Sequence, residues 1–311
     1  MATYQLHHAN CFEWLKDQPS HSFHGVCTDP PFGIVEFLPH EMEKLRVGKG
    51  GVWRLPPTIG GSQRAPLPRF TTLSDAEREH VRVYFRDLGK VLFHTLIPGA
   101  HVFIAGTPML QHLVQSGMAD SGYEVRGAVM RLYRGFRGGD RPKLAEQEFP
   151  DVCVTPRGAY EPWMLFRKPI SERTVAANLR KWGTGALRRL STDQPVPDVI
   201  QSGKTPAIEE AVFNHPTVKP QHLLRILVRT LLPTGEGVIL EPFAGSGSTI
   251  AACQAVGYEA VGVEVDDEYF GALHRNIPVL ASMYPSFRGD SLDMLDPDIR
   301  KIQIPEQAML I

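Results

Sequence analysis

A chain of 311 residues with 42% apolar and 22% charged residues can bury about three quarters of its unfolded surface without a disulfide or metal staple. No run approaches ~18 uninterrupted apolar residues, and residues 1–8 lack a basic segment followed by an apolar one, so neither a membrane span nor a secretory leader is expected. The net charge of −1 excludes a uniformly cationic molecule, yet residues 121–190 hold 14 Lys and Arg against 7 acids, a local net of +7.

In chain order, residues 25–28 read as the end of a buried strand. Residues 36–70 follow with neither helical nor strand period and many glycines and prolines, a stretch long enough to be functional or unstructured. Ser74-Asp75-Ala76-Glu77 is a capping box opening a helix whose apolar stripe includes Val81, Phe85, Leu88, Leu92 and Leu96. A strand over 101–105, a helix over 108–118 and strands over 124–132 and 163–166 come next. The pattern breaks between 170 and 213. Beyond it stand a helix over 221–232, a strand over 238–240, a glycine turn, a helix over 248–256, a strand over 260–263 and a helix over 267–275. Such alternation predicts an α/β fold, a doubly wound and mostly parallel sheet. The cysteines Cys11, Cys27, Cys153 and Cys253 are scattered, so no metal cluster or disulfide framework is expected and a reducing cytoplasm fits.

Three motifs carry chemistry. Thr28-Asp29-Pro30-Pro31-Phe32-Gly33 follows a strand end. Its prolines fix the backbone and remove two amide donors, leaving carbonyls, a carboxylate and a flat ring, which suit a planar base with an exocyclic amine. Asn214-His215-Pro216-Thr217-Val218-Lys219-Pro220 precedes a helix start, a place that favours anionic groups such as a carboxylate. Glu241-Pro242-Phe243-Ala244-Gly245-Ser246-Gly247-Ser248-Thr249 joins a strand to a helix, and Glu264, 17 residues after Gly247, ends the next strand at a spacing that suits ribose hydroxyls. Each motif alone also fits a bland turn. Gly203-Lys204-Thr205 imitates a P-loop end, but Asp198 stands where its first glycine belongs.

Taken in order, the three motifs resemble those of the site-specific DNA amino-methyltransferases with the permuted, beta-class order, in which the catalytic half precedes the S-adenosylmethionine half. The resemblance covers nearly the whole chain, from Leu6 to Phe270. It implies a Rossmann-like methyltransferase fold with a catalytic half over 1–35 and 71–168, an inserted loop over 36–70, a target-recognition region over 169–213, a cofactor half over 214–285 and a tail over 286–311. It implies a target-amine site at Asp29, Pro30, Pro31 and Phe32. The cofactor site would comprise Asn10, Cys11, Asp29, Thr217, Lys219, Glu241, Phe243, Gly245, Ser246, Gly247 and Glu264. Two departures stand out: Ala9-Asn10-Cys11 replaces the family's usual Gly-Asp, and Glu241 stands where Asp is more usual.

Arg54, Arg131, Arg134, Arg137, Trp182, Arg188 and Arg189 are the expected contacts to double-stranded DNA. The resemblance further implies S-adenosylmethionine as cofactor, base flipping, adenine N6 rather than cytosine N4 because Asp occupies the first motif position, a homodimer and a partner restriction endonuclease. No cysteine follows a proline, which argues against cytosine-C5 chemistry. Two other classes compete: a nicotinamide-dependent oxidoreductase, suggested by the glycine turn and Glu264 alone, and a catalytically silent DNA-binding module.

Overall fold

The computed structural model describes residues 3–31, 58–59, 62–63, 73–133, 139, 141–142, 144–212 and 218–284. In chain order its elements are β1 (Tyr4–His8), α1 (Cys11–Lys16), β2 (Phe23–Thr28), β3 (Thr58–Ile59), β4 (Ser62–Gln63), α2 (Asp75–Thr95), β5 (Leu96–Ala105), α3 (Gln111–Asp120), β6 (Glu124–Leu132) and β7 (Tyr160–Arg167). They continue with α4 (Val175–Trp182), β8 (Val199–Gln201), α5 (Ala207–Glu210), α6 (Gln221–Leu231), β9 (Val238–Glu241), α7 (Ser248–Val256), β10 (Glu259–Glu264) and α8 (Asp267–Ser282).

Eight strands form one sheet in the order β1-β10-β9-β2-β5-β7-β6-β8. Only β7 runs against the others within it. The centre of the sheet is buried on both sides, which explains the unbroken apolar runs of β5 and β7. One face carries α1, α2 and α3, whose Leu15, Phe85, Leu88, Leu92 and Val114 are buried with Val26 and Phe166. The other carries α6, α7 and α8, whose Leu224, Leu227, Ile250, Leu273 and Ile277 are buried with Cys27 and Phe103.

The capping box at Ser74 is present with both reciprocal bonds, and α2 buries the stripe expected of it. Several bounds differ from the sequence reading. The last helix passes Pro278 to reach Ser282, because Ile277 and Leu280 on its apolar side are fully buried and hold the further turn. The stretch over 170–213 contains α4, β8 and α5. Thr174 caps α4 through the Ala177 amide, and Gly183 ends it at φ +70°.

The chain order places β9, which leads into the glycine turn, directly beside β2, which leads into Asp29. The halves implied by the motifs therefore meet along a β2–β9 seam. In open parallel sheets a crevice for ligands lies outside the carboxyl ends of the strands, where the connections diverge. Asp29 and residues 242–247 both leave the sheet at that edge.

Candidate active site

The two motifs are tied together at the edge. Thr28 Oγ1 donates to Glu241 Oε1 at 2.5 Å, and the Phe243 amide donates to the same oxygen at 3.1 Å. Glu241 is 2% exposed. Burial pushes its carboxyl up to about 8, against hydrogen bonds from Thr28, Thr249 and the Phe243 amide, with the neighbouring Asp29 charge adding to the rise. Glu241 is thus an internal brace between the two motifs.

The glycine turn is built by close packing. Gly245 and Gly247 have φ of +48° and +82°. The Ala244 amide bonds the Val263 carbonyl at 2.8 Å, and the Gly245 amide bonds Glu264 Oε2 at 2.6 Å. Glu264 Oε1 accepts the Val265 and Asp266 amides, each at 2.9 Å. Three amides therefore orient this carboxylate, and Oε2 keeps a lone pair for a hydroxyl. A Cβ on Gly247 would meet Ile277 Cγ1 at 2.7 Å.

That overlap makes a direct prediction. Gly247→Ala combines a left-handed backbone, costing about 1–2 kcal/mol, with overpacking, costing about 1–3 kcal/mol. Gly257, at φ +84° with nothing within 4 Å of its Cβ position, isolates the backbone part. Urea unfolding should show Gly247→Ala losing more stability than Gly257→Ala; equal losses would remove the packing against α8.

Asn10 and Cys11 lie at the same edge, since the Ala9 amide bonds the Glu264 carbonyl at 2.9 Å. Asn10 Oδ1 accepts the Phe12 amide and caps α1. Cys11 is 5% exposed, and burial pushes its thiol up to about 12. Its side chain lies in the core beside Leu15 and Val26 of the same cluster.

Lys219 reaches the edge from the residue before Pro220. Its ammonium lies 3.0 Å from Asp29 Oδ2 and 2.7 Å from Glu161 Oε1. Burial opposes the charge of Lys219, but Asp29 and Glu161 more than reverse this and raise its proton affinity. The Gln221 amide at the helix start donates to Glu209 Oε2 at 2.9 Å. The anions at this helix start are thus the chain's own carboxylates.

Glu161, near the start of β7, belongs to none of the three motifs. Burial alone would push its carboxyl up; Lys219 and Arg131 outweigh that and hold it below the usual carboxylate range. The signal available in the sequence is an acid followed by Pro162-Trp163-Met164-Leu165-Phe166, because a carboxylate buried in such a strand needs a cationic partner.

The expected DNA contacts divide. Arg131 is 5% exposed and directs its donors to Glu161 Oε2 at 3.2 Å, Ser202 Oγ at 3.2 Å and the Gly203 carbonyl at 2.9 Å. It is a buried ion pair and not a phosphate contact. Trp182 donates to Ser171 Oγ at 2.9 Å and meets the edge of His21, which precedes β2. Arg188 donates to Tyr258, which precedes β10, and the Arg189 carbonyl accepts from Arg229 near the end of α6. These residues sit at the amino edge of the sheet. Asn178 of α4 bonds the Pro98 carbonyl. Pro98 lies six positions before Ile104, which pairs with Thr28, a span of about 20 Å. Trp182, Arg188 and Arg189 therefore do not line the edge that carries Asp29. Phe32, Arg54, Arg134, Arg137 and Thr217 lie outside the described residues.

The doubly wound sheet and its glycine turn define the fold of the S-adenosylmethionine-dependent methyltransferases. Residues 145–274 match the DNA methylase family of N6 and N4 amino-methyltransferases. The type II methyltransferase M.HindIII of Haemophilus influenzae is 22% identical over 271 residues, covering 80% of this chain and 87% of that protein. The DNA adenine methyltransferase YhdJ of Escherichia coli is 39% identical over 71 residues, 23% of this chain and 24% of that one. The crystal structure of TTHA0409 from Thermus thermophilus, complexed with S-adenosyl-L-methionine, has a TM-score of 0.55 at 18% identity. It covers 91% of this chain and 98% of that chain. The family match thus falls on residues 145–274, and the similarity to M.HindIII runs along most of the chain.

Proposed function

We propose that this methyltransferase modifies the exocyclic N6 of an adenine turned out of duplex DNA, with Asp29 and the Pro30 carbonyl as the acceptors of its two N–H bonds. The observation that carries this reading is the position of Asp29 at the β2–β9 seam, held to Lys219 and adjacent to the glycine turn. S-adenosylmethionine supplies an electrophilic methyl group. The left-handed glycines of the turn leave room for a close ligand, and Glu264 has a free acceptor position for a ribose hydroxyl.

An exocyclic amine is a poor nucleophile because its lone pair is delocalised into the ring. Two acceptors on its hydrogens draw the nitrogen toward a tetrahedral shape and localise that pair. Positive charge would grow on the nitrogen as the new N–C bond forms and the methyl carbon's bond to sulfur breaks, its electron pair returning to sulfur; a carboxylate beside that nitrogen stabilises the transition state more than the ground state and can accept the proton the methylated amine then sheds. Asp29 does this without a covalent enzyme intermediate. Phe32 supplies a face on which a flipped base stacks. The Asp in the first motif position favours adenine; cytosine N4 is the second reading, because the family includes both.

Double-stranded DNA as substrate, a homodimer, a partner restriction endonuclease and a prokaryotic cytoplasm or phage origin belong to the same reading. Among the described residues no helix is long and apolar enough to cross a membrane. Nucleoside mass spectrometry of plasmid DNA from a methylation-deficient host expressing the protein tests the base assignment. N6-methyladenine is the expected product. N4-methylcytosine would keep the chemistry and overturn the base.

A further inference from the structure

Four charges form one line across the seam. Arg131 on β6 meets Glu161 on β7, Glu161 meets Lys219, and Lys219 meets Asp29. Trp163 Nε1 also donates to Glu161 Oε2 at 3.1 Å. The line is neutral: two carboxylates and two cations. Lys219 alone would suffice as a counter-ion for Asp29, so the pairing of Asp29 does not explain the other two members.

Their effect follows from where Lys219 is held. With Glu161 at 2.7 Å and Asp29 at 3.0 Å, the ammonium is shared, and the shorter contact is to Glu161. Sharing leaves Asp29 more of its acceptor strength for another donor. It also balances the charge of Lys219, so that positive charge growing beside Asp29 meets a neutral group of side chains. Without the Glu161 charge, Lys219 would turn wholly to Asp29 and the line would carry a net +1.

We propose that Glu161 is a positioning residue for methyl transfer, acting through Lys219 to orient the Asp29 carboxylate and keep it available to the target amine. The proposal rests on the amine-transfer reading above. It assigns a role to a residue outside the three motifs.

The test compares the wild type with Glu161→Gln, Glu161→Asp, Lys219→Met and the Glu161→Gln/Lys219→Met double variant. Single-turnover methyl transfer is measured at saturating S-adenosylmethionine and DNA. Glu161→Gln keeps the shape and removes the charge. An unbalanced charge at this range lowers the rate by roughly 10–100-fold, with affinity for both substrates within about threefold. Glu161→Asp recovers part of the rate. Lys219→Met, slow by itself, slows the Glu161→Gln protein little further, because the two residues act as one unit.

A second readout does not need activity. Carboxyl-carbon NMR follows proton uptake by Asp29, which faces Lys219, Glu241 at the end of β9 and Cys27 on β2, the strand that leads into it, with Glu161 and Arg131 behind Lys219. Glu161→Gln removes a negative charge, so Asp29 should protonate at lower pH than in the wild type. Lys219→Met removes a positive one and should move it the other way. If the wild type transfers no methyl group, the amine-transfer reading fails, while the Asp29 titration still decides whether Glu161 governs Asp29. A wild-type rate in Glu161→Gln overturns the proposal, as does an unshifted Asp29 titration. A loss of rate matched by equal losses of thermal stability and substrate affinity would assign Glu161 a structural role instead.

Discussion

Replacing Asp29 by alanine lowers methyl transfer by at least about 10²–10³-fold, the range seen when one preorganised group facing developing charge is removed. Cofactor affinity stays within about threefold, because the glycine turn is held by its own bonds, from the Ala244 amide to Val263 and from the Gly245 amide to Glu264. The fold also stays intact. Asp29 is partly exposed, and its partner Lys219 retains Glu161 at 2.7 Å, so the substitution strands no buried charge. The measurement is methyl incorporation into DNA beside calorimetric binding of S-adenosylmethionine. Near-normal turnover would remove Asp29 from the chemistry. Loss of turnover together with loss of cofactor binding would instead place Asp29 in the cofactor site alone.

That separation is legible in the sequence because Asp29 and Gly245 each sit in a local motif whose physics is complete within a few residues. The capping box at Ser74 and the long apolar runs of β5 and β7 are readable for the same reason. What the sequence conceals depends on distant partners. Glu161 and Arg131 are 30 residues apart in the chain, and only the β6–β7 pairing joins them, so Arg131 reads as one more cation in a basic stretch. The arginine surplus over 121–190 is partly internal: Arg131 and Arg167 pair with Glu161 and Glu124.

Trp182 and Arg188 depart from expectation for a different cause. An irregular, basic segment suggests a DNA-facing loop, but α4 begins just after β7, which runs against its neighbours and delivers the chain to the amino edge. A single reversed strand thus decides which edge a segment reaches, and strand direction has no local signature. β1 is hard to read because an edge strand with intermediate and exposed positions lacks the apolar run that marks the central strands.

The buried Glu241 gives this fold a pH dependence of its own. An acid whose proton affinity is higher in the folded than in the unfolded chain stabilises the fold least where the unfolded chain is ionised. Below pH about 4.5 both states are protonated and Glu241 costs nothing. Between about 4.5 and about 8 the unfolded chain releases the proton while the folded one keeps it, so stability falls as pH rises. Above about 8 the full penalty is present, on the order of 3–5 kcal/mol. Glu241→Gln removes the titration and keeps an oxygen for Thr28 and the Phe243 amide, the two donors at Oε1. The variant should therefore exceed the wild type in unfolding free energy at pH 8.5, with the difference shrinking toward pH 5. Denaturant unfolding of both proteins across that range checks it. A difference that does not change with pH would mean that Glu241 is ionised in the folded protein. A protonated Glu241 also links the brace to the chemistry, because a second carboxylate charge beside Asp29 would raise the proton affinity of the acceptor itself.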